Sequence, residues 1–361
     1  MKLLKNIIIG FAITVSSLIG SSAQAADAWQ DITQGEYSYK ALTIKMDTSG
    51  PALIFSDSPE YVQDYGILYE DNLQGDVRIF YYHVNDKWTQ ARIAIVVQND
   101  SFKPTNISIN KAAMPKPSIH WQNGGQQAQQ LYFAEQKPYK KTLKGMEQME
   151  LLSGDNGLVY ARNELAQGII ELHADAPINI KIISLPVSAQ AFEYVDIAKH
   201  IATDDVRRIP LRGTFPQADR TLVVEPVRLK DNELEGVVVA DGVVDKFAVG
   251  KDAVTGKAAE NYGNYGVFYE ILFENKSKGK IAVRMNGTGG LIAGQLLVGE
   301  QKAKHLKKVD FPSQGARLFS EFGTETVFLG EFPRNFKGRI IFSPPGTGNL
   351  PVTLLFYKLG K

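Results

Sequence analysis

The chain has 361 residues, 44% of them apolar, with 40 Lys and Arg against 39 Asp and Glu for a formal net charge of +1, and it has no cysteine. That balance excludes the strong positive field of a nucleic-acid binder. The lack of Cys excludes disulfide scaffolds, Cys-ligated zinc, iron–sulfur centres and thiol nucleophiles.

At the start of the chain, Lys2 and Lys5 precede an apolar run from Ile7 to Ile19, followed by Ala23, Gln24 and Ala25. This is the plan of a secretory signal, with cleavage expected after Ala25. The run is short for a bilayer span, and no later stretch approaches the ~20 apolar residues of a membrane helix, so no transmembrane segment is expected after cleavage. The expected location is extracytoplasmic: periplasm, cell surface or medium. The 336 residues left after residue 25 suit two domains.

Short apolar runs bounded by Asn, Asp, Gly or Pro predict strands over residues 66–70, 76–84, 91–98, 105–109, 158–161, 168–173 and 178–185. Residues 188–200 carry Ala191, Tyr194, Val195 and Ala198 at helical spacing and predict a connecting helix. Asp204, Asp205, Arg207, Arg208, Gly213 and Pro216 then break the apolar pattern. The expected organisation is a signal peptide over 1–25, a first domain over 26–200, a linker over 201–218 and a second domain over 219–361. The fold class is all-β, with two tandem related β-sandwich domains of Ig-like or jelly-roll-like type.

The relation between the two halves is read by subtraction. Asn99-Asp100-Ser101 aligns with Asn275-Lys276-Ser277, and residues 107–110 with 283–286, both at an offset of 176. Residues 130–137 align with 295–302 at 165, the shift falling in a loop around Asn123 to Gln127 that is longer in the first half. Gly168-Ile169-Ile170 matches Gly338-Arg339-Ile340 at 170. A repeat at a domain-sized period predicts duplication of one β unit.

The chemistry legible in the residues is sparse. His83, His120, His173, His200 and His305 are scattered, without a His-x-His or His-Glu-x-x-His pair. No Gly-x-Ser-x-Gly elbow is present. Gly287-Thr288-Gly289-Gly290 lacks the Lys of a phosphate loop and reads as a turn, and Asp241, Asp245 and Asp252 do not fit a calcium loop. No catalytic, cofactor or metal residue is assigned.

Two features point to binding. Lysines recur after the matched segments, Lys137, Lys140, Lys141 and Lys144 in the first half and Lys302, Lys304, Lys307 and Lys308 in the second. Several ammonium groups on one face concentrate a polyanion, while lysines also blunt exposed strand edges. The second feature is an aromatic and acidic stretch containing Asp57, Glu60, Tyr61, Tyr65, Tyr69 and Trp88, a mixture suited to sugar or peptide recognition. Alternation places Phe80 and Tyr82 on one strand face and Tyr81 and His83 on the other, with one face expected in the core and the other solvated.

Residues 51–60, 66–71 and 75–83, then Asn264-Tyr265-Gly266 and the stretch 342–352, resemble a group of secreted proteins of the Firmicutes lineage. These are often labelled after a copper amine oxidase N-terminal-like domain that many of them carry in addition. The resemblance spans residue 50 to the C-terminus and implies secretion and a two-part β architecture. It implies no oxidase chemistry here. Copper amine oxidases form their quinone cofactor from a Tyr in an Asn-Tyr-Asp/Glu context and hold copper with three histidines, whereas this chain has Asn261-Tyr262-Gly263 and Asn264-Tyr265-Gly266 and no paired histidines.

The expected function is a non-enzymatic structural or adhesive module of the cell envelope, with an anionic envelope polymer or another envelope protein as partner, and with self-assembly open to it. The alternatives are a hydrolase acting on envelope polysaccharide and a periplasmic ligand-binding protein.

Overall fold

A computed structural model describes residues 38–151, 158–204, 210–311 and 326–358, so the expected signal segment and Asp205, Arg207 and Arg208 of the expected linker lie outside the described residues. These residues form three β-sheets of twelve, six and five strands, an all-β architecture.

Two long strands, Gly66–Asn85 and Leu165–Pro186, build the first half by pairing antiparallel along most of their length. Their alternation puts Val77, Ile79, Tyr81, Ile170 and Leu172 on one face and Arg78, Phe80, Tyr82, Ile169 and Glu171 on the other. The ladder bends where Gly75 takes φ +83° and the register slips between Ala174 and Ile178. Such a bulge turns a strand sharply without ending it. Ala91–Gln98 pairs with one arm of the bent strand and Thr105–Ala113 with the other. Folding at the bend brings Ile93, Ile95, Ile180 and Ile182 against Val77, Ile79, Ile170 and Leu172 in a single buried cluster. Turn-type residues at the bend made each long strand read as two in the sequence.

In the second half, one sheet runs Lys40–Ala41, Leu234–Val239, Val352–Tyr357, Ile281–Asn286 and Thr326–Phe332. The other runs Ile44–Ser49, Asp219–Val224, Tyr269–Glu274, Lys337–Phe342, Gly294–Glu300 and Lys307–Phe311. Val237, Val283, Met285, Leu354 and Phe356 of the first meet Leu222, Ile271, Phe273, Leu296 and Phe342 of the second in one apolar cluster, the arrangement of a sandwich. Each such side chain stabilises the fold by about 2 kcal/mol when fully buried.

The chain crosses between the halves more than the expected division allows. Lys40–Ala41 and Ile44–Ser49 belong to the second-half sheets. Arg212–Phe215, inside the expected linker, is a strand paired with Ala52–Ser56, and Arg212 itself is buried on Asp252. Phe80, Tyr82, Leu165 and Ile169 lie in the same apolar cluster as Tyr269 and Phe342, so both faces of the strand Gly66–Asn85 are core near Phe80, where a solvated face was expected. Gly266 presses on this face: at φ +75°, a Cβ there would stand 3.0 Å from Phe80 Cβ.

Helical content also departs from expectation. Of residues 188–200, Ala191–Val195 is helix, covering Ala94, Val96, Ile183 and Leu185. A longer helix, Trp121–Tyr132, occupies the supposed loop. Its glutamines serve the second half: Gln129 Nε2 donates to Ser343 O at 2.5 Å while its Oε1 accepts from Gln295 N at 2.7 Å, and Gln126 Nε2 donates to Gly294 O and Phe311 O at 3.2 Å. A burying face made of amides and glycines lacks the apolar stripe that marks a helix in sequence.

The matched segments have mixed outcomes. Residues 130–137 end this helix and 295–302 are strand and turn, so that pairing joins unlike structures. The offset of 176 joins like ones. Asn99 Nδ2 donates to Lys103 O, Leu143 O and Lys144 O, and its Oδ1 accepts from Ser101 N. Asn275 Nδ2 donates to Gly279 O, Phe332 O and Pro333 O, and its Oδ1 accepts from Ser277 N. Each buried carboxamide ties the loop between two strands that do not pair with each other to a neighbouring segment of chain.

Candidate functional site

The face of the first-half sheet bearing Phe80 passes out from under the second half in successive cross-strand rows. The innermost polar row is Arg78, Glu171 and Lys111, neighbours in register on three strands. Arg78 is buried and donates to Glu171 Oε1 at 2.6 Å, to both oxygens of Asp219 and to Gly266 O at 3.0 Å. Burial opposes its charge, but the carboxylates of Asp219 and Glu171 outweigh it and raise the guanidinium pKa. Tyr132 donates its hydroxyl to Glu171 at 2.6 Å and stacks on Phe268 at 4.4 Å. Burial, reinforced by Glu171 against the opposing Arg78, pushes that hydroxyl pKa up, so it remains a donor. This row clamps the halves together.

The next row is open to solvent. Asp76, His173, Ser108 and Lys140 stand side by side on Gly66–Asn85, Leu165–Pro186, Thr105–Ala113 and Tyr139–Leu143. At strand spacing of ~4.8 Å the row extends over about 14 Å. His173 Nδ1 lies 2.7 Å from Asp76 Oδ1, and its Nε2 lies 3.5 Å from Asp175 Oδ1. Beside it, Asn106 Nδ2 donates to Asp175 Oδ2 at 2.9 Å, and Thr142 Oγ1 donates to Asn106 Oδ1 at 2.7 Å. Ser108 Oγ donates to Asn110 Oδ1 at 2.9 Å. With Lys141, these residues line an open groove of about 530 Å³, acidic at one end and basic at the other. Its position is set by the bend at Gly75 and Ala174, which leaves Asp76 and Asp175 at the rim.

The lysines divide between two strands. Lys140 and Lys141 lie on Tyr139–Leu143, and Lys307 and Lys308 on Lys307–Phe311; among the described residues each strand pairs on one side only. Lys137, Lys144, Lys302 and Lys304 are exposed in adjoining turns. Lys141 pairs with Glu147 at 3.0 Å. Both basic stretches therefore guard sheet edges, and Lys140 and Lys141 also line the groove.

Of the aromatic and acidic candidates, Tyr61 and Trp88 are exposed, and Tyr65 and Glu60 are partly buried. Tyr69 and Asp57 are corrections to the expected surface set. Tyr69 is fully buried because its strand is covered on both sides there; its hydroxyl meets Thr214 Oγ1 at 2.8 Å and burial pushes its pKa up to about 12. Asp57 is buried beneath the segment holding Leu211, whose carbonyl accepts its N–H at 3.0 Å.

One pairing was invisible in the sequence. His83 Nε2 lies 2.9 Å from Ser56 Oγ and its Nδ1 2.9 Å from Pro59 O, and both side chains are fully buried. The distances match those of a serine–histidine dyad, but burial closes this one to substrate. Burial, with the charges of Arg212 and Lys87, pushes the His83 pKa down to about 4.

No family model matches the chain, and no curated protein matches it. Two variants of Bacillus subtilis oxalate decarboxylase align over 87% of this chain and 78% of theirs, at 9% and 10% identity and TM-scores of 0.12 and 0.13. A likeness at that level carries no argument about fold or function.

Proposed function

We propose that the protein is an extracytoplasmic, non-catalytic binding module that holds a charged polymer of the cell envelope across the open groove of its first half. The carrying observation is the solvent-facing row Asp76, His173, Ser108 and Lys140, continued by Asp175, Asn106 and Thr142. A solvent-open row that presents carboxylate, imidazole, hydroxyl and ammonium groups along its length suits an extended polar chain better than an enclosed small molecule. Lys140 and Lys141 supply the attraction for anionic groups. The reading is binding instead of turnover because the nearby carboxylates already accept from specific partners: Glu171 and Asp219 from Arg78, Asp76 from His173, and Asp175 from Asn106. The secretory pattern at the N-terminus supports the location.

The test is co-sedimentation of the protein with purified peptidoglycan and with anionic wall polymers at low and high salt, for the natural chain and for K140E/K141E and H173A. Retention that falls with salt and is lost in both variants is expected. Retention on none of these polymers, or retention unchanged in the variants, refutes the proposal.

A further inference from the structure

The aromatic stretch singled out in the sequence is not part of the groove; it forms a second surface at the far end of the same strands. Trp88 sits in the turn after Asn85 and is 87% exposed, yet it is held in place, with the Arg162 guanidinium carbon 3.4 Å from its ring centroid. Asn163, the next residue, binds back to Asn85 O through its N–H at 2.8 Å and accepts the Trp121 indole N–H on its own carbonyl at 3.1 Å. Trp121 in turn meets Tyr61 edge-on, with centroids 6.2 Å apart and planes at 62°. Tyr61 is 47% exposed and is fixed by strand pairing to Val84. Four separated chain segments thus converge to hold three aromatic side chains at one edge of the molecule. Two residues along the chain from Tyr61 and from Trp88, Gln63 donates to Asp86 Oδ2 at 3.0 Å.

Holding large rings rigidly in water forgoes the stabilisation that burial would give them. We infer that this edge is a glycan-binding platform that takes neutral pyranose units, the sugar rings lying on Trp88 and Tyr61 and their hydroxyls reaching Gln63 and Asp86. Pyranoses present an apolar C–H face and a rim of hydroxyls, which matches ring faces interleaved with a carboxamide and a carboxylate. A protein partner would call for a contiguous apolar patch, whereas these rings stand on a short strand, a turn and the start of a helix, with the polar pair Gln63 and Asp86 two residues along the chain from Tyr61 and Trp88. The platform uses no residue of the groove, so it stands apart from the proposal above.

The experiment is affinity electrophoresis of the full mature chain in native gels containing a soluble β-1,3-glucan, a β-1,4-glucan or a mannan, with titration of chitin oligomers followed by tryptophan fluorescence. Natural chain, Y61A/W88A, W88F and K140E are compared, with thermal melting to establish that each is folded. The expected result is binding to at least one neutral glycan, weakened about tenfold or more in Y61A/W88A. W88F, which keeps a ring, is expected to retain most of it, and K140E is expected to bind like the natural chain. Binding to none of these glycans overturns the inference, as does equal binding by Y61A/W88A. Light scattering that shows a dimer dissociated by Y61A/W88A also overturns it and assigns the edge to a second copy of the chain.

Discussion

Lowering the pH from 7 to 4.5 probes the buried pair of Ser56 and His83. In the folded protein His83 takes a proton only near pH 4, against an ordinary value of 6.5. An unfolded chain takes it near 6.5, so between those values the unfolded state binds more protons. Stability from this residue is therefore complete above about pH 6.5 and declines as the pH falls toward about 4. The gap of about 2.5 pH units, at about 1.4 kcal/mol each, is worth between about 3 and about 4 kcal/mol in all. The assay is urea unfolding at half-unit steps from pH 7 to 4.5, for the natural chain and for His83→Gln. The variant has no imidazole to charge, so its stability falls less steeply, the two curves differing in their total fall over this range by about 2 kcal/mol, with the rest of the loss lying below pH 4.5. Carboxylates such as Glu70, whose pKa is lowered by Asn179, Lys181 and His200 against the opposing effect of burial, act alike in both proteins and cancel in the comparison. Parallel curves, or His83 ring nitrogens that titrate near pH 6.5 by NMR, would refute the reasoning.

Two further perturbations address the links within and between the halves. Asn275→Ala removes three donor contacts to backbone carbonyls and the acceptor for Ser277 N; a loss of about 3 kcal/mol in urea unfolding is expected, and a loss below about 0.5 kcal/mol counts against a structural role for this carboxamide. Arg78→Met strands the carboxylates of Glu171 and Asp219, with an expected loss of about 4 kcal/mol. Much of that loss returns in R78M/E171Q/D219N, because the stranded charges go with it; absence of recovery argues against an electrostatic origin.

Strand Ala91–Gln98 was legible to the residue, because its apolar run is bounded by Gln90 and by Asn99-Asp100. Leu165–Pro186 was not. Asp175 and Pro177 carry turn chemistry that the chain uses for a bulge inside one continuous ladder. The helix Trp121–Tyr132 escaped because its buried face is built from Gly124, Gly125, Ala128 and Gln129, and amides that satisfy a neighbour's backbone leave no hydrophobic period. At the groove, His173 and Lys140 were each visible as single residues. What joined them was the strand order, which places residues 76, 173, 108 and 140 in one row, and sheet order is a long-range property that local patterns do not encode. Tyr69 and Trp88 read alike in sequence, and only coverage by the strand Arg212–Phe215 and its neighbours separates the buried ring from the exposed one.

The strand Ile44–Ser49 has its partner Asp219–Val224 far along the chain, Ser49 facing Asp219 across 170 positions (219 less 49). During synthesis at about 5–20 residues per second, that interval is on the order of ten to thirty seconds. Throughout it, the six-stranded sheet has its outermost strand in hand and none of the strands it must join. This strand thus emerges early and waits for Asp219–Val224, the first of its sheet's other strands to follow it along the chain, and their pairing carries the segment before the first half onto the second. Cutting the chain between the halves would therefore leave one piece with an orphaned strand and the other with an uncovered edge.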